Sequence, residues 1–366
     1  MRAVVTGAAG FVGSTLSRRL RRDGWDVVGI DAFTDYYDVA RKRRNAAAVE
    51  ASGATIIEAD LVDMDLSSAL SGVDAVFHQA GQPGVRASWG DGFAPYVARN
   101  VLATQRLLEA LRDHPTLKRF VYASSSSIYG DAESFPTTED TLPSPVSPYG
   151  VTKLAAEHLT TLFGTNFGVP TTSLRYFTVY GPSQRPDMAF TRFVTAAVQK
   201  TPIEIYGTGE QIRDFTFVDD VVEANILAAT TETSPGSVYN VAGGTNASVN
   251  EVLQILKDLS NGELDVSYTD RAIGDVFRTG GDTARISSEL GWRPSVTLEE
   301  GLARHLAWAQ QTFGTSACLR AAPRENRLPG PEVQRRRRGV RRPPVDGAFR
   351  VPRRSGHRCN HEPQVR

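Results

Sequence analysis

Cysteine is almost absent from this chain. Only Cys318 and Cys359 occur in 366 residues, both near the C-terminus. The body before them therefore has no disulfide framework, no thiolate metal site and no cysteine nucleophile. The six histidines form no cluster with acids or cysteines that would suggest a metal site, and none is expected. No apolar run approaches the ~18–20 residues of a membrane span. A strand-like segment follows Met1 directly, without a signal-peptide pattern, so a cytoplasmic location is expected.

Net charge is also missing, but only on average: the formal charge is zero. From Ala317 onward there are 14 Arg, no Lys and 4 acids, which leaves 27 basic and 37 acidic residues in 1–316, a net of −10. An acidic body repels nucleic acid, so none is expected as a partner there. The Pro- and Arg-rich tail, residues 315–366, has almost no aliphatic periodicity and is expected to be disordered. Its Arg335–Arg338 run could meet nucleic acid or acidic surfaces; charge runs are more often simply solvated.

What is present begins at the N-terminus. The Val-rich run 2–6 leads into Gly7-Ala8-Ala9-Gly10-Phe11-Val12-Gly13, followed by a helical pattern through Leu16 and Leu20 that stops at Gly24. Strand, glycine turn and helix are the setting of a dinucleotide fingerprint, with glycines for close approach and a helix N-terminus toward the pyrophosphate. A second strand, 26–30, is closed by Asp31, which can accept from the adenosine ribose hydroxyls. An acid there repels a 2′-phosphate, so NAD is favoured over NADP. Further strands are expected at 55–58, leading to Asp60-Leu61, at 73–78, running into Gln79-Ala80-Gly81, at 119–123 and at 170–176. His78 has no acidic or cysteine partner after it and reads as a packed strand-end histidine. Residues 100–112 carry an amphipathic helix pattern on Val101, Leu107, Leu108 and Leu111.

Ser124-Ser125-Ser126-Ser127 ends the fifth strand, where open α/β sheets place ligands. The segment Ser147-Pro148-Tyr149-Gly150-Val151-Thr152-Lys153 reads as a helix start, with Ser147 as N-cap and Pro148 at the first helical position. Tyr149 and Lys153 then share one helix face. A free tyrosine titrates near ~10, and a neighbouring ammonium with a helix N-terminus would favour its phenolate as a proton acceptor. Past residue 176 the regular alternation loosens into short strands and loops, with helix patterns at 190–199, 220–229, 249–259 and 298–310. The fold expected is α/β, a Rossmann-type doubly wound parallel sheet with a smaller C-terminal α/β substrate lobe. Residues 1–175 would form the main part of the NAD-binding domain and 176–314 mainly the substrate lobe, with some segments returning to the sheet.

In combination and order, the glycine turn, Asp31, the serine strand end and Tyr149-x-x-x-Lys153 resemble the extended short-chain dehydrogenase/reductases that act on nucleotide sugars. Gly29-Ile30-Asp31-Ala32-Phe33 with Asp35-Tyr36-Tyr37, residues 80–86, and 175–189 with its Arg185-Pro186-Asp187-Met188-Ala189 resemble the UDP-glucuronate 4-epimerases. The resemblance implies catalytic Ser125, Tyr149 and Lys153. It implies NAD contacts from Gly7, Gly10, Phe11, Val12, Gly13, Asp31, Asp60, Leu61, Gln79, Ala80, Gly81, Tyr149, Lys153 and Tyr176. It implies substrate contacts from Arg86, Ser126, Ser127, Thr178, Arg185, Arg213, Arg271 and Asp275. Dehydratases of this superfamily carry an Asp-Glu pair where Ser126 and Ser127 stand, and decarboxylases tend to have an acid at the second position, so epimerisation at C4 of a UDP-sugar is favoured. Its relatives pair through the helices corresponding to 100–112 and 149–163, which implies a homodimer. UDP-glucuronate decarboxylase, UDP-glucose 4-epimerase and a non-enzymatic sugar-nucleotide-binding regulator remain alternatives.

Overall fold

The computed structural model describes residues 1–132, 134–270 and 276–314. In chain order the first elements are β1 (Arg2–Thr6), α1 (Phe11–Arg22), β2 (Asp26–Asp31), α2 (Val39–Ala51), β3 (Thr55–Glu58), α3 (Ser67–Leu70) and β4 (Ala75–His78). Then come α4 (Phe93–Tyr96), α5 (Ala103–Leu111), β5 (Arg119–Ser125), α6 (Pro148–Phe167), β6 (Thr171–Tyr176) and β7 (Thr178–Tyr180). They are followed by α7 (Ala189–Gln199), β8 (Ile203–Tyr206), β9 (Ile212–Phe217), α8 (Val218–Thr230), β10 (Ser237–Val241) and β11 (Asn246–Ser248). Last come α9 (Val249–Ser260), β12 (Val266–Thr269), α10 (Ala284–Leu290) and α11 (Leu298–Phe313).

Seven parallel strands form the main sheet, in the order β10-β6-β5-β4-β1-β2-β3. Strand order reverses between β1 and β4, and that switch point opens a crevice at the carboxyl ends of the strands. Alternate residues along β1 feed opposite faces: Ala3 and Val5 join Leu16, Leu20 and Phe77, while Val4 joins Val76, Leu107 and Phe120. Both faces are thus covered, as a parallel sheet requires. A three-stranded sheet, β11-β9-β7, and a two-stranded one, β12-β8, lie beyond it in sequence, while β10 returns to pair with β6.

Helix α6 starts as its sequence predicts. The Ser147 side chain accepts from the Gly150 amide at 3.1 Å, Pro148 occupies the first turn, and Gly168 ends the helix at φ 67°. Two local expectations change. The helix read at 100–112 is entered earlier, from α4, through a π-helical turn at Val97–Leu102 that leads into α5. Helix α2 was not anticipated: its Arg41-Lys42-Arg43-Arg44 run hides a stripe reduced to Ala46, Val49 and the stem of Lys42. Asp38 caps it by accepting from the Ala40 amide. The tail from 315, with the disorder expected of it, and the pair Arg271 and Asp275 lie outside the described residues.

Candidate active site

The crevice at the switch point holds a cavity of about 470 Å³. Its floor is the turn between β1 and α1. Gly7 sits at φ +69°, and a Cβ there would lie 2.8 Å from the Ala80 nitrogen; a Cβ at Gly13 would lie 2.1 Å from the Gly7 carbonyl oxygen. Only glycine at these two places lets the turn close on itself and on the loop after β4, which is the tight strand–turn–helix packing a dinucleotide site needs. Asp31 is locked at the end of β2: its Oδ2 accepts from the Ala9 amide (3.0 Å) and its Oδ1 from the Phe33 amide (2.8 Å). Each carboxylate oxygen keeps acceptor capacity for a ribose hydroxyl. Gly10, Phe11, Val12, Asp60, Leu61, Gln79, Ala80 and Gly81 also line the cavity. So does buried Lys42, which donates to Thr34 Oγ1 at 2.9 Å. Lys42 was not foreseen because the helix carrying it was not.

At the other end stand Ser125, Tyr149, Lys153 and Tyr176. Lys153 Nζ donates to the Ala123 carbonyl at 2.5 Å and lies 4.6 Å from the Tyr122 ring centre. Ser125, at the end of β5, lies close to the Tyr149 side chain, and its Oγ accepts from the Ser127 amide at 3.1 Å. Tyr176 donates to Gln79 Oε1 at 3.1 Å and is gripped from below by buried Asn225. The π-turn adds a residue that periodicity could not reveal. Asn100 accepts from the Gln82 amide (2.7 Å) and donates to the Gln82 carbonyl (3.1 Å) and Thr152 Oγ1 (3.0 Å). It clasps the loop after β4 to the turn of α6 between Tyr149 and Lys153. Wide turns of this kind cluster at functional sites.

The electrostatics correct one expectation. Burial raises the Tyr149 pKa; the Ser125 side chain and the Arg185 charge pull it down without winning. Burial also drives Lys153 down to about 7, with only Glu157 opposing. The shared helix face is as read from the spacing, but the phenolate is not favoured in this structure. Removing both groups from water disfavours both charges. His78 behaves as the packed residue expected, fully buried between Thr6 Oγ1 (2.7 Å) and Thr104 Oγ1 (2.9 Å) and lowered to about 3 by desolvation.

Ser126, Ser127, Thr178, Arg185 and Met188 line the same cavity. Arg185 turns its Nε (3.0 Å) and Nη2 (2.9 Å) to Asp187. Two residues implied to bind substrate are not on this wall. The Arg86 guanidinium stacks 4.3 Å above the Tyr206 ring, which also faces Arg192 at 5.9 Å. Arg213, on β9, donates to the carbonyls of Ile212 (2.8 Å) and Val276 (2.5 Å).

Comparison with known proteins matches this geometry. A family model described as the NAD dependent epimerase/dehydratase family covers residues 3–242. The chain is 40% identical over 315 residues to the uncharacterized UDP-glucose epimerase YtcB of Bacillus subtilis, spanning 86% of this chain and 99% of the relative. It is 35% identical over 316 residues to the UDP-glucuronate 4-epimerase of Thermodesulfobacterium geofontis, spanning 85% and 96%. Among solved structures, the UDP-glucuronic acid 4-epimerase from Bacillus cereus in complex with UDP-glucuronic acid and NAD is similar at TM-score 0.82 and 40% identity, over 86% of this chain and 100% of that one. MoeE5 in complex with UDP-glucose and NAD is similar at TM-score 0.77 and 41% identity, over 86% and 100%. A strand, glycine turn and helix at the switch point, a Ser-Tyr-Lys set across the crevice and these matches lead to one assignment: the chain belongs to the NAD dependent epimerase/dehydratase family.

Proposed function

We propose that the protein is an NAD-dependent UDP-glucuronate 4-epimerase that forms UDP-galacturonate through a 4-keto sugar. The observation that carries this is one cavity lined by the glycine turn and Asp31, by Ser125, Tyr149 and Lys153, and by Arg185, Ser126 and Ser127. Bound NAD would supply the hydride acceptor and donor for C4 of the sugar. Gly7, Gly13, Asp31 and Lys153 would hold it, with Tyr176 and Gln79 packed beside them. Tyr149 takes the proton from the C4 hydroxyl and returns one to the C4 oxygen once hydride has been added to the opposite face of the keto carbon, with Ser125 hydrogen-bonding the same oxygen. Ser126 and Ser127 offer hydroxyls to the sugar but no acid or base for removing water.

UDP-glucuronate adds a demand of its own. Its 4-keto form is a β-keto acid, which loses CO2 when the carboxylate bond stands perpendicular to the carbonyl plane. Arg185 supplies a planar fork to hold the carboxylate away from that orientation. The Bacillus cereus structure, a complex with UDP-glucuronic acid and NAD, supports this sugar. UDP-glucose is a second reading, supported by the name of the Bacillus subtilis relative and the UDP-glucose complex of MoeE5.

We assign Arg86 and Arg213 to the diphosphate, which would meet them beyond the cavity wall described above. Residues 1–175 are then mainly the cofactor domain and 176–314 mainly the substrate lobe. A homodimer is supported by apolar side chains left exposed along the π-turn and α6: Val97, Leu102, Val151, Leu162 and Phe167. Among the described residues no helix is long and apolar enough to cross a membrane, and we assign the protein to the cytoplasm. NMR of the product formed from UDP-glucuronate tests the reading. UDP-galacturonate is expected; a UDP-pentose, or turnover of UDP-glucose alone, would overturn it.

A further inference from the structure

Below the reacting groups, α6 carries a buried carboxylate that the reaction as described does not use. Tyr149, Lys153 and Glu157 follow one another at intervals of four on the face of α6 turned to the sheet. Glu157 is 2% exposed and Arg175, next to last in β6, is 6% exposed. Arg175 Nη2 donates to Glu157 Oε1 at 2.7 Å and Nε to Oε2 at 3.1 Å. Ser124 Oγ donates to Oε2 at 2.5 Å, so three groups fix the carboxylate. The remaining Arg175 nitrogen donates to Tyr129 Oη (2.6 Å) and the Glu139 carbonyl (2.9 Å).

This pair ties helix to sheet directly behind the site. Ser124 and Arg175 face each other across β5 and β6, and the next register pair is Ser125 with Tyr176. A shift of Glu157 would therefore move Ser125 and Tyr149 relative to one another. A buried ion pair is a costly way to pack two elements, since apolar side chains of similar volume often serve as well. Its place one helical turn behind a buried lysine points to a task beyond packing.

We propose that Glu157 is a positioning residue of the hydride-transfer site. It holds a carboxylate one helical turn from Lys153 and keeps that lysine in its ammonium form, while Arg175 anchors the carboxylate to the sheet. The groups facing Lys153 are few. On its own helix they are Tyr149 and Glu157. From β5 come the Tyr122 ring and the Ala123 carbonyl, from β4 buried His78, and from the π-turn the neutral Asn100. Glu157 is the one acid among them, and the one influence that raises the lysine's pKa against desolvation. The Arg185 charge acts on Tyr149 rather than on Lys153.

The inference rests on the assignment of Tyr149 and Lys153 to hydride transfer and not on which sugar is turned over. Its test is the pH profile of kcat for the full chain, with whichever of UDP-glucuronate and UDP-glucose the wild type converts. In Glu157→Gln the alkaline limb should move down by about one pH unit, a roughly tenfold loss of kcat confined to the alkaline side. Glu157→Asp, which keeps the charge, should return the limb to its wild-type position. Because Glu157→Gln leaves Arg175 buried without its partner, the double variant Glu157→Gln/Arg175→Met removes both charges and should show a limb displaced in the same direction by a smaller amount. A wild-type alkaline limb in the folded double variant, or equal displacement in Glu157→Asp, would overturn the proposal. A wild type that converts neither sugar contradicts both this proposal and the functional reading; conversion with an unmoved limb contradicts this proposal alone.

Discussion

Asp187 holds the Arg185 guanidinium by its side edge, with Nε and Nη2 at 3.0 and 2.9 Å from the two carboxylate oxygens. The edge formed by Nη1 and the second Nη2 hydrogen is the one that can meet a sugar carboxylate. Tyr36 stands beside Asp187, its hydroxyl pKa raised first by burial and then by that acid's charge. Arg185→His keeps a donor but loses the fork. It should divert part of the 4-keto sugar to CO2 loss, seen by NMR as a UDP-pentose. Asp187→Asn should raise KM for UDP-glucuronate by about tenfold, the loss of one charge-assisted orienting contact. Epimer alone, at an unchanged rate, from Arg185→His would end the carboxylate-clamp account.

In the proposed reaction the proton acceptor is Tyr149. Tyr149→Phe keeps the ring that meets Tyr96 edge-on at 6.2 Å and removes the hydroxyl. Its kcat should fall by about 10²–10⁴ while affinity for the nucleotide sugar stays near wild type. Calorimetric binding alongside steady-state rates checks both halves. Activity at wild-type level would show that Tyr149 is not the proton acceptor.

The glycine turn makes a steric prediction. Gly13→Ala would set a methyl 2.1 Å from the Gly7 carbonyl oxygen, a distance only a displaced turn can relieve. The purified variant should retain far less NAD than wild type, measured by absorbance after extraction. Equal NAD content would show that the turn does not cradle the cofactor.

Two buried histidines set an acid limit on stability. Desolvation lowers both His78 and His305 from 6.5 to about 3. Between those values the unfolded chain takes up a proton that the folded chain refuses, so each histidine costs stability as pH falls below about 6.5. Denaturant unfolding at about pH 5 should show a loss of about 2 kcal/mol per histidine relative to pH 6.5, and none of that loss above it. Replacing His78 with Gln, which can still bridge Thr6 and Thr104, should flatten the slope by one residue's share. An unchanged slope would place the acid sensitivity elsewhere.

Much of the fold and of the cofactor site can be read from residue order because local chemistry dictates it. The strand Arg2–Thr6, the turn to Gly13, Thr55–Glu58 and the Ser147–Pro148 helix start have the bounds that periodicity and capping predict. Helix α2 was hidden because a helix with so few buried side chains has almost no apolar stripe. The π-turn escaped because one extra residue per turn leaves no mark in the pattern of Val101, Leu107, Leu108 and Leu111. The spacing of Tyr149 and Lys153 conveys proximity and not burial, so it suggests a phenolate that the buried site does not favour. Arg86 and Arg213 are arginines whose long side chains are directed by distant partners, the Tyr206 ring for one and the carbonyl of Val276 for the other.

The central claim is that oxidation and reduction at C4 occur in one site, with the hydride returned to the sugar it left. UDP-glucuronate carrying deuterium at C4 tests this most directly, with the product read by NMR and mass. The account predicts UDP-galacturonate that retains the deuterium at C4. Loss of the label to solvent hydrogen, or product formed without C4 inversion, would contradict it.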